Sequence, residues 1–227
     1  MAVNLIIFDL DGTLVDSKLD LAHSVNATRK HFGLDPLDNE LVYSYVGNGV
    51  LTLMRKSLGS DFSDGQIQQA LEYFLGYYRE HMLDFTTLYP GVRESLDRLK
   101  DAGVRLSVLT NKPVRFSQDI LAGLGVGGYF FRVYGGNSFE QKKPDPAGVH
   151  ALLSEARVPA GEALIVGDSA VDVVTARNAG VPVCGVTYGF QPGGFREQPP
   201  DFTVDRMEQL AELVVSGRRP KGDVHES

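Results

Sequence analysis

Two aspartates, one residue apart, follow the first apolar run of the chain. The stretch NLIIFDLDGTLVDS runs from Asn4 to Ser17, with Asp9 and Asp11 just before and after Leu10 and a glycine directly behind them. Two neighbouring carboxylates repel each other, and both remain ionised when a cation lies between them. Mg²⁺ prefers such oxygen ligands, so the pair predicts a metal site. For the pair alone, an Asp-Gly turn with no chemical role is the alternative.

Other polar side chains follow the later apolar runs. The segment LTNK carries Thr110 and Asn111, and VGDSAVD carries Asp168 at a strand end with Asp172 four residues further on. The segment QKKPDP places Lys143 directly before a proline that is expected to start a helix. Taken one at a time, Thr110 has the alternative of a helix cap, Lys143 that of a solvated charge, and the acids that of a first helical turn. Together they predict one site, because open α/β sheets bind ligands at the carboxyl ends of their strands.

The elements that must position these residues are short apolar strands alternating with helices. Apolar runs that predict strands occur at Asn4–Phe8, Val104–Thr110, Ala163–Val166 and Val181–Val186, with a weaker fifth at Phe131–Gly136. Strands that are apolar on both faces are typical of a parallel sheet covered by helices. From Tyr89 onward, helical patterns alternate with the strands. The fold class predicted is therefore α/β, a doubly wound parallel sheet with a Rossmann-like core.

Residues 16–85 interrupt this alternation, because they carry helical patterns and no strand pattern. We interpret this segment as an inserted helical cap domain. The α/β core is then predicted to comprise residues 1–15 and 86–215. The polar, aperiodic segment 216–227 is predicted to be a disordered tail.

Residue types at the predicted helix ends indicate where the insert's helices begin. Ser17 is a candidate N-cap for the first helix, and Ser63 with Gln66 has the spacing of a capping box. The turn Gly47-Asn48-Gly49 precedes another helix, whose amino terminus is a candidate anion-binding element. Arg55 and Lys56, one turn further along, could add positive charge there, and solvated side chains are the alternative that we favour.

Composition narrows the class of protein. The 227 residues are 43% hydrophobic and carry a net charge of −7, from 22 basic and 29 acidic residues. This balance argues against general nucleic-acid binding, which needs a basic face. A single cysteine, Cys184, excludes a disulfide framework or a multi-cysteine metal site. Neither a targeting segment nor a bilayer-spanning apolar run is visible, so we expect a cytoplasmic protein that does not bind membranes. No pattern predicts an oligomeric state.

Taken together, the motifs resemble those of the haloacid dehalogenase-like phosphatase superfamily. DLDGT resembles its first motif, LTNK the second, the KKP lysine the third and GDSAVD the fourth, and the helical insert lies where that family has its cap. Within the superfamily, YVGNGVLTLMRKSL (residues 45–58) and GGNSFEQKKPDP resemble the bacterial phosphoglycolate phosphatases. The resemblance covers essentially the whole chain.

The resemblance implies roles for the acids. Asp9 is the expected nucleophile, which forms an aspartyl-phosphate. Asp11 is expected to protonate the leaving oxygen and then to deprotonate the hydrolytic water. Mg²⁺ is the expected cofactor, held by Asp9, Asp168 and the backbone carbonyl of Asp11.

The resemblance also implies a substrate site. Thr110 and Lys143 are expected to bind the phosphoryl oxygens, with Asn111 and Gly49 as further substrate-binding candidates. Asp172 is expected to orient Lys143 or to support the metal ligands. The expected partner is a small phosphorylated metabolite, and the expected reaction is the Mg²⁺-dependent hydrolysis of 2-phosphoglycolate to glycolate and phosphate.

Three other functions use similar residues. A phosphatase for another small phosphometabolite and a phosphosugar mutase are both compatible with the same scaffold. A non-catalytic signalling receiver also carries acids, a hydroxyl and a lysine at strand ends, but its phosphorylated acid follows a central strand of the chain and no helical insert follows. The chain order therefore argues against the receiver.

Overall fold

A computed structural model describes residues 3–217. Most of the predicted tail, residues 218–227, lies outside the described residues. No helix in the described part of the chain is both long and apolar enough to cross a membrane.

Parallel strands form the central sheet. Its strands, in chain order, are β1 (Leu5–Phe8), β4 (Arg105–Leu109), β5 (Arg132–Tyr134), β6 (Ala163–Gly167), β7 (Val183–Val186) and β8 (Phe202–Val204). Two further strands, β2 (Val15–Asp16) and β3 (Thr87–Leu88), form a separate antiparallel pair. The spatial order in the central sheet is β5-β4-β1-β6-β7-β8, with every neighbouring pair parallel. The five predicted strands are confirmed, and β8 and the β2–β3 pair add to them.

The helices fall into two groups, those of the insert and those that cover the two faces of the sheet. They are α1 (Lys18–His31), α2 (Asn39–Tyr43), α3 (Val50–Leu58), α4 (Asp64–His81), α5 (Val92–Asp101), α6 (Val114–Gly123), α7 (Ala147–Ala156), α8 (Ala170–Ala179) and α9 (Met207–Ser216). Ile6 and Phe8 of β1 point into the core shared with α5, α6 and α9, whereas Leu5 and Ile7 point toward α7 and α8. A strand that is buried on both faces explains the unbroken apolar run.

The helical insert comprises α1–α4 and lies between β2 and β3, so the inserted helical cap is confirmed as part of the fold. Its buried residues, Met54 and Phe74 among them, belong to the same hydrophobic core as Phe8 of the sheet. At its base, the buried carboxylate of Asp20 in α1 accepts hydrogen bonds from the backbone N–H groups of Phe85 and Thr86. These bonds tie the start of the insert to its end. The exact bounds 16–85 stay a prediction.

The predicted helix ends have different outcomes. Ser63 and Gln66 form the predicted capping box. Ser17 precedes α1 but makes no capping hydrogen bond: its φ of −105° and ψ of 5° are not the extended backbone of an N-cap, and its hydroxyl hydrogen is donated to Asp11. The proline after Lys143 does not start a helix either, since α7 begins at Ala147.

Candidate active site

Predicted site residues follow three adjacent strands at one edge of the sheet. Thr110 follows β4, Asp9 follows β1 and Asp168 lies directly after β6, with β1 between the other two strands. The backbone N–H of Asp9 donates to the carbonyl oxygen of Val166 at 2.8 Å, and that of Thr110 donates to Tyr134 at 3.0 Å. The sheet ladder thus continues into the site and fixes the backbone that carries these side chains.

Lys143 joins two of the acids. Its Nζ lies 2.9 Å from Asp9 Oδ1 and 2.7 Å from Asp172 Oδ1, and its side chain is only 4% exposed. Burial lowers the pKa of Lys143, but the Asp172 and Asp9 carboxylates outweigh this and hold the pKa above its ordinary value. The ammonium therefore stays charged at neutral pH, as a buried lysine does when it is fully paired.

Burial raises the pKa of Asp9 to about 6, although Lys143 lowers it and Asp172 raises it further. Burial likewise raises the pKa of Asp168, and the neighbouring Asp172 and Asp9 carboxylates raise it more. The carboxylates thus bring negative charge together in a buried site. A bound cation would offset that charge.

The residues present fit a hard divalent cation. Asp9, Asp168 and Asp172 each offer a carboxylate oxygen within 4.8 Å of the others. Asp172 already uses Oδ1 to accept from Lys143 and Oδ2 to accept from the Ser169 hydroxyl at 2.6 Å. This pairing favours the predicted role of Asp172 in orienting Lys143. It leaves the carboxylates of Asp9 and Asp168 as the acids best placed for a metal, with oxygen donors of the kind that Mg²⁺ prefers.

Asp168 is held in a tight position. Its Oδ2 accepts hydrogen bonds from the backbone N–H groups of Phe190 at 2.7 Å and Gln191 at 3.3 Å. At Gly12, whose φ is +83°, an added Cβ would lie 2.2 Å from the same oxygen. Glycine in the DLDGT motif therefore lets the turn after β1 approach the Asp168 carboxylate.

Asp11 is bound by two residues that sequence reasoning did not place in the site. The Ser17 hydroxyl donates to its Oδ1 at 2.5 Å. Lys112 Nζ donates to both carboxylate oxygens, at 3.0 and 3.2 Å, and also to the hydroxyl of Tyr78 in α4 at 2.7 Å. Burial lowers the pKa of Lys112, but Asp11 and Tyr78 outweigh this and raise it above its ordinary value. The two aspartates thus pair with different lysines: Asp11 with Lys112, and Asp9 with Lys143.

Thr110 and Asn111 have distinct surroundings. The Thr110 hydroxyl oxygen accepts from the backbone N–H of Lys112 at 3.3 Å, which leaves its own hydrogen available as a donor. Thr110 is not a helix cap, because α6 begins four residues later. Asn111 Nδ2 donates to the carbonyl oxygens of Gly47 at 3.0 Å and Lys143 at 3.1 Å. Its amide thus joins the insert to the lysine segment.

Two polar side chains of the α/β core hold the turn Gly47-Asn48-Gly49 of the insert over the site. Gln191 Nε2 donates to the Val46 carbonyl at 2.5 Å, and Lys142 Nζ donates to the Asn48 carbonyl at 2.6 Å. Gly49 has a φ of +82°, and an added Cβ would lie 2.8 Å from Lys142 Nζ. A larger residue at Gly49 would be strained by this φ and would push aside the Lys142 ammonium that binds the turn, and so it would not test substrate recognition alone.

Arg55 does not reach the site. Its guanidinium pairs with Asp64 at 2.8 Å, and both side chains are exposed. The solvated side chain that we favoured for Arg55 therefore agrees with the structure, and its alternative contribution to an anion site beside the glycine turn does not. A local ion pair between α3 and α4 explains its orientation.

A cavity of about 60 Å³ lies between the insert and the strand ends. Asp9, Asp11, Thr110 and Asp168 line its polar side. Its remaining walls are mostly apolar side chains and the glycine turn, and include Leu21, Val46, Gly49, Val50, Leu53, Phe74, Tyr78 and Phe116. The volume favours a small ligand.

Comparison with known proteins agrees with this arrangement. The family model described as haloacid dehalogenase-like hydrolase matches residues 6–186. A phosphoglycolate phosphatase of Vibrio parahaemolyticus is 38% identical over 220 residues, covering 94% of this chain and 96% of its own length. A phosphoglycolate phosphatase of Pseudomonas savastanoi is 40% identical over 213 residues, covering 91% and 78%.

Solved structures show the same fold. The crystal structure of a predicted phosphoglycolate phosphatase from Haemophilus somnus superposes with a TM-score of 0.88 at 33% identity, covering 93% of this chain and 97% of that one. A haloacid dehalogenase-like family hydrolase from Streptococcus pneumoniae gives a TM-score of 0.83 at 25% identity, covering 93% and 98%. The match to this family model over residues 6–186, together with these relatives, identifies the protein as a hydrolase. The chain belongs to the haloacid dehalogenase-like hydrolase family.

Proposed function

We propose that this enzyme hydrolyses small phosphate monoesters through an aspartyl-phosphate on Asp9, with Mg²⁺ as cofactor and 2-phosphoglycolate as the preferred substrate. The observation that carries the proposal is the position of Asp9. Asp9 follows β1 and pairs with the buried Lys143 at 2.9 Å. It faces a cavity that Thr110 and Asp168 also line. A nucleophile, a cation and a hydroxyl donor therefore converge where a phosphoryl group would bind.

In the first step, a carboxylate oxygen of Asp9 attacks phosphorus and the bond from phosphorus to the alcohol oxygen breaks. The Asp9 pKa of about 6 leaves this carboxylate mostly ionised at neutral pH. The ion pair with Lys143 orients it toward the cavity. Lys143 and the Thr110 hydroxyl would bind the phosphoryl oxygens, on which negative charge is concentrated.

Asp11 would move the protons. Its protonated carboxyl donates to the alcohol oxygen as that group leaves. The resulting carboxylate then accepts a proton from the water that attacks phosphorus, and the bond from phosphorus to Asp9 breaks. Inorganic phosphate leaves, and both aspartates return to their starting states. Lys112 and Ser17 hold the Asp11 carboxylate in place.

Asp9, Asp168 and the backbone carbonyl of Asp11 would hold Mg²⁺. When bound, the ion supplies positive charge that offsets the charges of the phosphoryl group and of Asp9. The contacts of Asp168 with Phe190 and Gln191 would fix the direction of its free oxygen toward the metal.

We expect Asp168→Ala to weaken metal binding as well as turnover. The Mg²⁺ concentration for half-maximal activity should rise at least about tenfold, because one of two carboxylate ligands is lost. The thermal stabilisation that Mg²⁺ gives to the wild type should shrink accordingly. Asp119→Ala, which removes an exposed carboxylate of α6, is the matched control and should leave both quantities unchanged. Full wild-type activity after exhaustive chelation with EDTA would contradict the metal site.

The size of the cavity and the names of the relatives support the proposed substrate. Two curated relatives at 38% and 40% identity are phosphoglycolate phosphatases. A screen of small phosphorylated metabolites with and without Mg²⁺ tests the proposal. We expect 2-phosphoglycolate to give the highest kcat/KM. A clear preference for hexose phosphates would contradict that substrate, and phosphate transfer to a second sugar site instead of to water would indicate a mutase. The cytoplasmic location stays a prediction.

A further inference from the structure

One cationic side chain lines the cavity. Among its lining residues in the described part of the chain, Lys112 alone carries a positive charge. The Lys112 side chain is 6% exposed, and its Nζ contacts Asp11 and the Tyr78 hydroxyl. Lysine is rarely buried in this way unless its charge is used or paired. Among residues 3–217, its one acidic partner is Asp11.

The chemistry of the ester fixes where a second substrate charge would lie. This inference rests on the proposed function, in which Asp11 donates a proton to the bridging oxygen of the ester. In 2-phosphoglycolate, two covalent bonds join that oxygen to the carboxylate carbon, so the carboxylate lies within roughly 4 Å of it. Proton donation brings the bridging oxygen within about 3 Å of the Asp11 carboxyl group. The substrate carboxylate must therefore lie close to Asp11.

Lys112 Nζ already lies at that place, 3.0 Å from Asp11 Oδ1. Phe74 and Phe116, which pack against Tyr78 beside Lys112, are apolar walls of the same cavity. We propose that Lys112 determines specificity by binding the carboxylate of the substrate, and that Tyr78 of the insert holds its ammonium group in position.

Tyr78 is suited to this role because it is rigid. Its side chain is buried, and its ring packs against Phe74 and Phe116 with centroid distances of 5.6 Å each. The Lys112 ammonium lies 4.6 Å from the ring centroid and bonds the hydroxyl at 2.7 Å. Since Tyr78 belongs to α4, the insert supplies one of the two contacts that orient the ammonium, and Asp11 supplies the other. Substrate recognition is thereby tied to the position of the insert.

The test compares two esters that differ in the carboxylate. Ethyl phosphate has the same alkyl leaving oxygen as 2-phosphoglycolate and lacks the carboxylate. Any effect of Lys112→Met on Asp11 alone therefore acts on both esters. We expect the ratio of their kcat/KM values, 2-phosphoglycolate over ethyl phosphate, to fall about 10–100-fold, the range of one charge-assisted hydrogen bond. An unchanged ratio in a folded Lys112→Met variant would overturn the proposal.

Tyr78→Phe removes one hydroxyl and keeps the ring, so it tests the proposal even if Lys112→Met does not fold. We expect the same ratio to fall several-fold. Tyr77→Phe is the matched control, because Tyr77 lies on the same helix and stacks on His81. It should leave the ratio unchanged, and equal effects of the two tyrosine variants would overturn the role of Tyr78. A wild type with no preference for 2-phosphoglycolate over ethyl phosphate would reject the proposed substrate itself, a result distinct from a preference that survives Lys112→Met.

Discussion

Replacing Asp9 by Asn is expected to abolish phosphate release and to leave the fold intact. An amide is a far poorer nucleophile than a carboxylate, and loss of a covalent nucleophile costs about 10⁴-fold or more in kcat. The measurement is phosphate release from 2-phosphoglycolate and from p-nitrophenyl phosphate, with far-UV circular dichroism as the test of folding. Asp119→Asn, at an exposed site on α6, should retain wild-type activity. A verified Asp9→Asn preparation with wild-type turnover would remove Asp9 from the mechanism.

The same variant has a predictable dependence on pH. Burial raises the pKa of Asp9 from 3.8 to about 6 in the folded protein. The folded state therefore binds this proton more tightly than the unfolded state, and the stability that Asp9 contributes is lost as pH rises from about 4 to 6. Asn does not ionise. Without metal, the stability of Asp9→Asn relative to the wild type should thus increase by about 1–3 kcal/mol across that window. Urea unfolding in EDTA at both ends of the window measures this difference, and a constant difference would contradict it.

Lys143→Met is the second variant with a large expected effect. The ammonium contacts Asp9 at 2.9 Å and Asp172 at 2.7 Å in a buried site. Its loss removes a donor to the phosphoryl group, which costs about 10²–10³-fold in kcat. It also leaves two buried carboxylates without their cation, a change that destabilises proteins by roughly 3–5 kcal/mol.

Activity and thermal melting, each with and without Mg²⁺, measure both effects of Lys143→Met. The matched control is Lys100→Met, which removes an exposed lysine of α5 and should change neither quantity appreciably. Near-wild-type turnover in Lys143→Met would show that the lysine does not bind the phosphoryl group. An unchanged melting temperature without metal would contradict the ion-pair account.

Most of the fold could be predicted because the strands are buried on both faces. The apolar run of β1 needs no partner to be recognised, and the helix-only segment after it indicates the insert. β8 escaped prediction because it has three residues, of which only Val204 is buried. The paired strands β2 and β3 have two residues each, too few for any periodicity, and only the closure of the insert brings Val15 beside Leu88.

The residues of the candidate site likewise include some that the sequence predicts and one, Lys112, that it does not. Asp9, Thr110 and Asp168 follow recognisable strands, so the topology alone predicts that they converge. Lys112 lies two residues after Thr110 in the same LTNK segment. That proximity is the one feature of the sequence that could have placed Lys112 in the site. Local sequence patterns favour a solvated lysine there. Its burial depends on Tyr78, 34 positions earlier, and a contact of that range has no local signature.

Ser17 shows that a residue type before a helix does not by itself establish a cap. A serine before a helix is typical of an N-cap, because its oxygen can accept from the helix's first N–H groups. Here the backbone of Ser17, with φ of −105° and ψ of 5°, is not extended, so the oxygen makes no capping bond. The turn after β1 brings the Asp11 carboxylate within reach, and the hydroxyl donates to it at 2.5 Å. The sequence pattern alone does not contain the position of Asp11 relative to α1.

The central claim is the covalent intermediate on Asp9, and chemical trapping tests it most directly. Borohydride reduces an acyl-phosphate, but not a free carboxylate, so an aspartyl-phosphate becomes homoserine. The enzyme is quenched with borohydride during turnover of 2-phosphoglycolate, and its peptides are analysed by mass spectrometry. The account predicts homoserine at Asp9, present only with substrate and absent from Asp9→Asn. Reduction at another aspartate, or unmodified Asp9 in enzyme that is turning over substrate at saturation, would contradict it.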